Sequence, residues 1–156
     1  MSDLFSIEYV MPHEPPLLLL DHVIDVGEEY IECAVVVRSD GLFDTNAQVP
    51  GLVGLEYMAQ TVAACSGYRA RRQGRPVRLG FLLGTRQFVT SISNFACGQQ
   101  LVVRAECTMR SAEGMASFDC KLSAPSSQDQ SIEQSARISV FEPEDSDSYL
   151  QQGRGQ

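Results

Sequence analysis

In the stretch GLEYMAQTVAAC (residues 54–65), Glu56 and Gln60 stand four residues apart among apolar and small neighbours. Four residues is about one helical turn, so in a helix the two share a face. An unpartnered carboxylate in an apolar helix is costly, so such a group is usually paired, protonated or used in chemistry. Which of these Glu56 is, spacing alone leaves open. The bland alternative is a carboxylate that holds a loop through amides or through Gln60. The chain has only two histidines, His13 and His22, and its five cysteines are scattered with no CxxC spacing. Neither pattern makes a metal site, and no metal or cofactor is expected. The cysteines read as reduced core residues of a cytoplasmic protein. Arg69, Arg71, Arg72, Arg75 and Arg78 crowd into ten residues of a chain whose net charge is −8. The balance argues against general nucleic-acid binding. The local cluster fits either a solvated helix end or a docking patch for an acidic partner.

These groups need a frame. At 156 residues the chain is long enough for one domain with a sizeable core. It carries no run long and apolar enough to cross a membrane as a helix, and its first residues show no secretory pattern. Residues 10–24 open with proline punctuation and read as an extended lead-in with a helical turn. Residues 30–37, YIECAVVV, read as a strand. Residues 38–51 carry Asp, Gly, Asn and Pro signals and read as a loop. Residues 51–73 form the one long helix, started by Pro50 and stopped near Gly74 and Pro76. Strands are predicted at 77–90, 99–111, 116–124 and 131–143, and a mobile tail at 144–156. The reading is α+β, with an antiparallel sheet of five or six strands wrapped around one helix. A helix apolar nearly all round needs cover on every side, so a partner subunit is expected to complete it.

Three patches in order carry a family resemblance. MPHEPPLLLLDHVIDV, DGLFDTNAQVPGLVGLEYMAQ and LGFLLGTRQFVTSISNFACGQQL resemble the opening segment, the active-site loop with its helix, and the paired strands of the β-hydroxyacyl-acyl-carrier-protein dehydratases. These are the FabA/FabZ group of hotdog-fold enzymes, and the branch that looks closest is the ApeP-like one. The resemblance spans about residues 8–143 and implies a single hotdog domain over 1–143. It also implies a dimer joined sheet edge to sheet edge, with acyl tunnels at the interface and sites built from both chains.

By the same resemblance Glu56 matches the helix carboxylate and Gln60 the glutamine one turn later. Pro50, Gly51 and Leu52 match the helix N-terminus whose free amide and dipole would hold the thioester carbonyl. The family's GHFP loop falls on Gly41, Leu42, Phe43 and Asp44, so Leu42 stands where the catalytic histidine is expected. Leucine transfers no proton. His13 and Asp44 are the available substitutes, each with a structural alternative. Gly51, Leu52, Gln60, Leu42, Phe43 and Pro50 are expected to contact the acyl thioester, and Arg69, Arg71, Arg72 and Arg75 an acyl carrier protein. The resemblance implies a carrier-protein or CoA thioester as substrate. Three functions stay open: a 3-hydroxyacyl-carrier dehydratase of fatty-acid or aryl-polyene-type lipid synthesis, an acyl-thioester hydrolase, or a non-catalytic subunit of an active dehydratase paralogue. The assembly implied is a homodimer or a heterodimer with that paralogue.

Overall fold

The computed structural model describes residues 4–78, 80–125 and 131–143; the expected tail at 144–156 lies outside these. A short helix α1 (Ile7–Val10) leads to β1 (His22–Val26) and β2 (Tyr30–Val36). A small strand β3 (Gln48–Pro50) and a 3-10 turn (Gly51–Val53) precede the long helix α2 (Gly54–Arg72). Then come β4 (Phe81–Thr90), β5 (Asn94–Ala96), β6 (Gln100–Arg110), β7 (Met115–Ser123) and β8 (Glu133–Phe141). Six strands make one antiparallel sheet in the order β1-β2-β6-β7-β8-β4. The short strands β3 and β5 pair separately, with Val49 opposite Phe95.

Strict alternation built the central strands. Ala116, Phe118, Cys120 and Leu122 of β7 all turn inward, as do Leu101, Val103 and Ala105 of β6. They meet Met58, Val62 and Cys65 of α2 in one core. The expected single-helix, curved-sheet architecture is what the chain adopts.

Some boundaries differ from expectation. The expected helical turn falls within residues 10–24, where the Leu17 and Leu18 N–H groups both donate to the Glu14 carbonyl. The short helix α1 before it was not expected, and His22–Val26 is a sheet strand registered on β2. The predicted strand at 77–90 begins only at Phe81, where partners on β8 begin. The long helix starts its α geometry at Gly54, because Gly51–Val53 is the 3-10 turn, and Gly74 ends it at φ 69.

Two faces of this frame matter for the site. Helix α2 leans towards β2 and β6, and Gly67 lets α1 come close: an added Cβ there would lie 1.8 Å from the Val10 carbonyl oxygen. The opposite side of α2 stays open. Strand β4 forms one edge of the sheet, with Leu82, Leu83 and Val89 exposed.

Burial has a pH consequence. It pushes the thiols of Cys33, Cys65 and Cys120 up to about 12, and the Tyr57 phenol likewise. Free thiols ionise at about 8.5, so above that pH the unfolded chain sheds protons that the folded chain keeps. The unfolded state then binds fewer protons, and stability must fall as pH rises. The urea midpoint should therefore decline steadily from about pH 9 towards 12; a flat midpoint across that window would contradict this burial.

Candidate functional site

Gln60 is fully buried, at 2% exposure, and all its polar capacity towards α2 and the N-terminal segment is taken. Its Oε1 accepts the Leu19 N–H at 2.8 Å. Its Nε2 donates to the Leu17 carbonyl at 2.8 Å and to Glu56 Oε1 at 3.0 Å. The two bonds to Leu17 and Leu19 orient the amide, so one of its hydrogens is aimed at Glu56 from a fixed point. Glu56 itself is exposed in this chain. The puzzle of a buried carboxylate thus resolves into a buried amide that presents an exposed one.

The open side of α2 is a cleft of about 800 Å³. Glu56, Ala59, Ala63, Ser66, Arg69 and Gln73 succeed one another along it at spacings of three and four, a single helix face. Across the cleft stand Leu82 of β4 with Ile138 and Val140 of β8. A polar group closes one part of the wall. Ser66 Oγ donates to Glu142 Oε1, and Arg110 pairs with Glu142 Oε2 at 3.6 Å. Residues Ser66, Arg110 and Glu142 were not picked out from the sequence, because their meeting depends on how β6 and β8 end beside α2.

His13 lines the same cleft as Glu56, and its Nδ1 is buried without a hydrogen-bond partner. Leu42, Phe43 and Asp44 are not among the cleft's lining residues. Their loop is held by its own aspartates. Asp44 Oδ1 accepts the Gly41 N–H at 2.6 Å, and Asp40 Oδ1 accepts the Leu42 N–H at 3.1 Å. Asp44 is thereby engaged in shaping a turn that also needs positive φ at Gly41, Asn46 and Ala47. Phe43 borders a small second pocket with Tyr57, Val49 and Arg38. One chain therefore does not bring its loop and its helix carboxylate to the same cleft.

The helix start is tied down from beneath. The Gly51 N–H donates to the Ser93 carbonyl at 2.8 Å, and its carbonyl accepts Gln134 Nε2 at 2.8 Å. Pro50 and Leu52 flank it on the outside, Leu52 being 66% exposed. Gln134 was also missed from the sequence, although a signal was there. It is the polar member of an otherwise apolar inward series, Ala136, Ile138 and Val140, on β8.

The arginines split into two groups. Arg71 donates to the Tyr9 carbonyl at 3.0 Å and covers the Tyr9 ring at 4.1 Å. Arg72 donates to the Gly27 carbonyl at 3.0 Å and stands 4.7 Å over the Tyr68 ring. Arg69, Arg75 and Arg78 line the cleft instead. Among the described residues no cluster of three or more His, Cys, Asp or Glu could hold a metal ion, and no helix is long and apolar enough to cross a membrane.

Known proteins match this arrangement at several levels. A family model described as ApeP dehydratase, of the ApeP-like group, matches residues 5–151. The 3-hydroxyacyl-[acyl-carrier-protein] dehydratase FabZ of Streptococcus sanguinis SK36 is 30% identical over 134 residues, covering 80% of this chain and 93% of that protein. The same enzyme of Acinetobacter baylyi ADP1 is 28% identical over 123 residues, 76% of this chain and 82% of that protein. Among solved structures, a chain of the dehydratase heterocomplex ApeI:P from Xenorhabdus doucetiae superposes with a TM-score of 0.85 at 24% identity, covering 98% of this chain and 99% of that one. A hypothetical thioesterase with coenzyme A from Streptococcus pneumoniae TIGR4 follows at 0.59 and 11% identity, over 78% and 84% of the chains. Both likenesses speak for a shared hotdog fold. From the match over nearly its whole length, this chain belongs to the ApeP-like dehydratase family of hotdog proteins.

Proposed function

We propose that the protein supplies the carboxylate half of a 3-hydroxyacyl-carrier dehydratase site and works in a heterodimer with a histidine-bearing hotdog partner. The carrying observation is the separation of roles within the chain. Glu56 is positioned by Gln60 on an open helix face, while Leu42 occupies the loop position of the expected histidine. The ApeI:P likeness supports this reading, since that related chain is part of a heterocomplex. The open side of α2 and the exposed edge strand β4 are the surfaces such a partner would cover, and an acyl tunnel would lie between the subunits.

The reaction then divides cleanly. The partner's imidazole removes the C2 proton of the acyl thioester. The C3–O bond breaks as the Glu56 carboxyl gives its proton to the departing hydroxyl, so water leaves and the C2=C3 bond forms. The amides at the start of α2 hold the thioester oxygen while negative charge builds on it. Pro50, Gly51 and Leu52 shape that end, while Leu42 and Phe43 lie outside the cleft of this chain's Glu56. His13, in the cleft with Glu56, and Asp44, engaged in its turn, are kept as secondary acid–base candidates. The product decides between chemistries: the assembled protein given a 3-hydroxyacyl carrier should release enoyl carrier, 18 mass units lighter by loss of water (about 18 Da from the chemistry of dehydration). Free acid would instead mark a thioester hydrolase.

Carrier docking fits the arginines, and within them the cleft-lining group. Arg69 and Arg75 join Arg78 at the cleft, whereas Arg71 and Arg72 are engaged with the chain itself. Reversing Arg75 and Arg78 to Glu should weaken carrier binding roughly 10-fold or more and flatten its salt dependence. Reversing Arg71 and Arg72 should lower stability first. Equal losses of affinity from the two pairs would overturn this division.

A further inference from the structure

Gln134 is 1% exposed, and both hydrogens of its amide are spent. Nε2 donates to the Gly51 carbonyl at 2.8 Å and to Thr90 Oγ1 at 2.9 Å. Its Oε1 is buried and has no hydrogen-bond partner. That oxygen packs against Gly54, where an added Cβ would lie 1.7 Å away. An orphaned buried acceptor is a cost that a leucine of similar size would remove. The amide must therefore earn its place through what Nε2 does.

What Nε2 does is set a peptide plane. The Gly51 carbonyl is drawn towards β8 by Gln134, and the Gly51 N–H is held by the Ser93 carbonyl. The Gly51 N–H is then not available to a ligand as a donor. The Gly54 N–H is likewise taken, by the Gly51 and Leu52 carbonyls. The Gly51–Leu52 bond is trans, the one cis bond among the described residues being Pro15–Pro16. In a trans peptide the N–H points opposite to the C=O. A carbonyl pulled inward thus turns the Leu52 N–H outward. The first-turn amides of a helix have no partner within the helix and sit at its positive end. Leu52 is exposed, and Glu56 follows it by four residues on the same face.

We propose that Gln134 is a positioning residue for the reaction: by holding the Gly51 carbonyl inward it aims the Leu52 N–H at the thioester oxygen of a substrate beside Glu56. This rests on the dehydratase reading. Gln134 touches no substrate and acts only through the backbone.

The test uses the complex with its histidine-bearing partner and a hexanoyl carrier labelled with ¹³C at the thioester carbonyl, which lacks the 3-hydroxyl and cannot dehydrate. Binding should shift the carbonyl stretch to lower frequency, and Gln134→Leu should abolish most of that shift. With the 3-hydroxyacyl substrate the same variant should lose roughly 10- to 100-fold in kcat, with KM and the pH profile nearly unchanged. Gly54→Ala, which drives a Cβ into Oε1, should reproduce both effects and serves if Gln134→Leu does not fold. A retained shift with retained kcat per folded molecule overturns the proposal. A wild-type complex that dehydrates but shows no carbonyl shift overturns it too, leaving the dehydratase reading intact. A wild-type complex that binds the hexanoyl carrier yet never dehydrates sinks the dehydratase reading, and the carbonyl shift still decides what Gln134 does.

Discussion

Replacing Glu56 by glutamine should cost the assembled protein about 10²- to 10⁴-fold in the rate of enoyl formation, the range that positioned proton transfer supplies. Glutamine keeps an acceptor for the Gln60 amide but has no proton to give at that position. The fold should not notice. Glu56 is exposed, and its one side-chain hydrogen bond among the described residues is that with Gln60. Surface changes of this kind usually stay within about 0.5 kcal/mol. Turnover measured beside the urea midpoint separates the two effects. A variant that turns over at the wild-type rate would take Glu56 out of the mechanism.

Gln60→Leu should do the reverse, injuring the fold first. It strips partners from the buried Leu19 N–H and from the Leu17 carbonyl. The buried Leu19 N–H left unsatisfied costs roughly 1–3 kcal/mol, and the part-exposed Leu17 carbonyl adds less, since water can reach it. For a domain of this size that lowers the melting temperature by roughly 2–12 °C. Because the same amide aims at Glu56, the rate per folded molecule should also fall. Hydrogen exchange adds a local readout: the Leu19 amide should lose its protection before the amides of β6 and β7 do. An unchanged melting temperature would show that the clamp carries no weight.

The sheet was legible in the sequence wherever one face meets the core and the other meets water. Residues 116–124 read correctly because Phe118 and Leu122 alternate with polar neighbours over the whole strand. In 99–111 the inward series Leu101, Val103 and Ala105 breaks at the irregularity between Cys107 and Met109, which leaves Met109 exposed. β1 and β5 were not legible. His22–Val26 sits at the sheet's edge with one fully buried residue, and Asn94–Ala96 is three residues long with only Phe95 inside. Such short stretches are fixed by their partners across the ladder. At the site, Glu56 and Gln60 were legible through helical spacing and family resemblance alike. Their division of labour was not. Gln60's buried role depends on Leu17 and Leu19, 43 and 41 residues upstream and folded back onto α2. The arginines show the same limit: ten residues of sequence look like one basic patch, yet Tyr9, Gly27 and Tyr68 engage two of its members.

The central claim is that this chain holds half of a site, and a titration tests it most directly. Enoyl formation from a 3-hydroxyacyl carrier is measured at fixed concentration of this protein while a histidine-bearing hotdog partner, inactivated at its own helix carboxylate, is added. The account predicts no turnover from this protein alone and a rate that climbs to a plateau at one partner per chain. Full-rate turnover from this protein alone would contradict it.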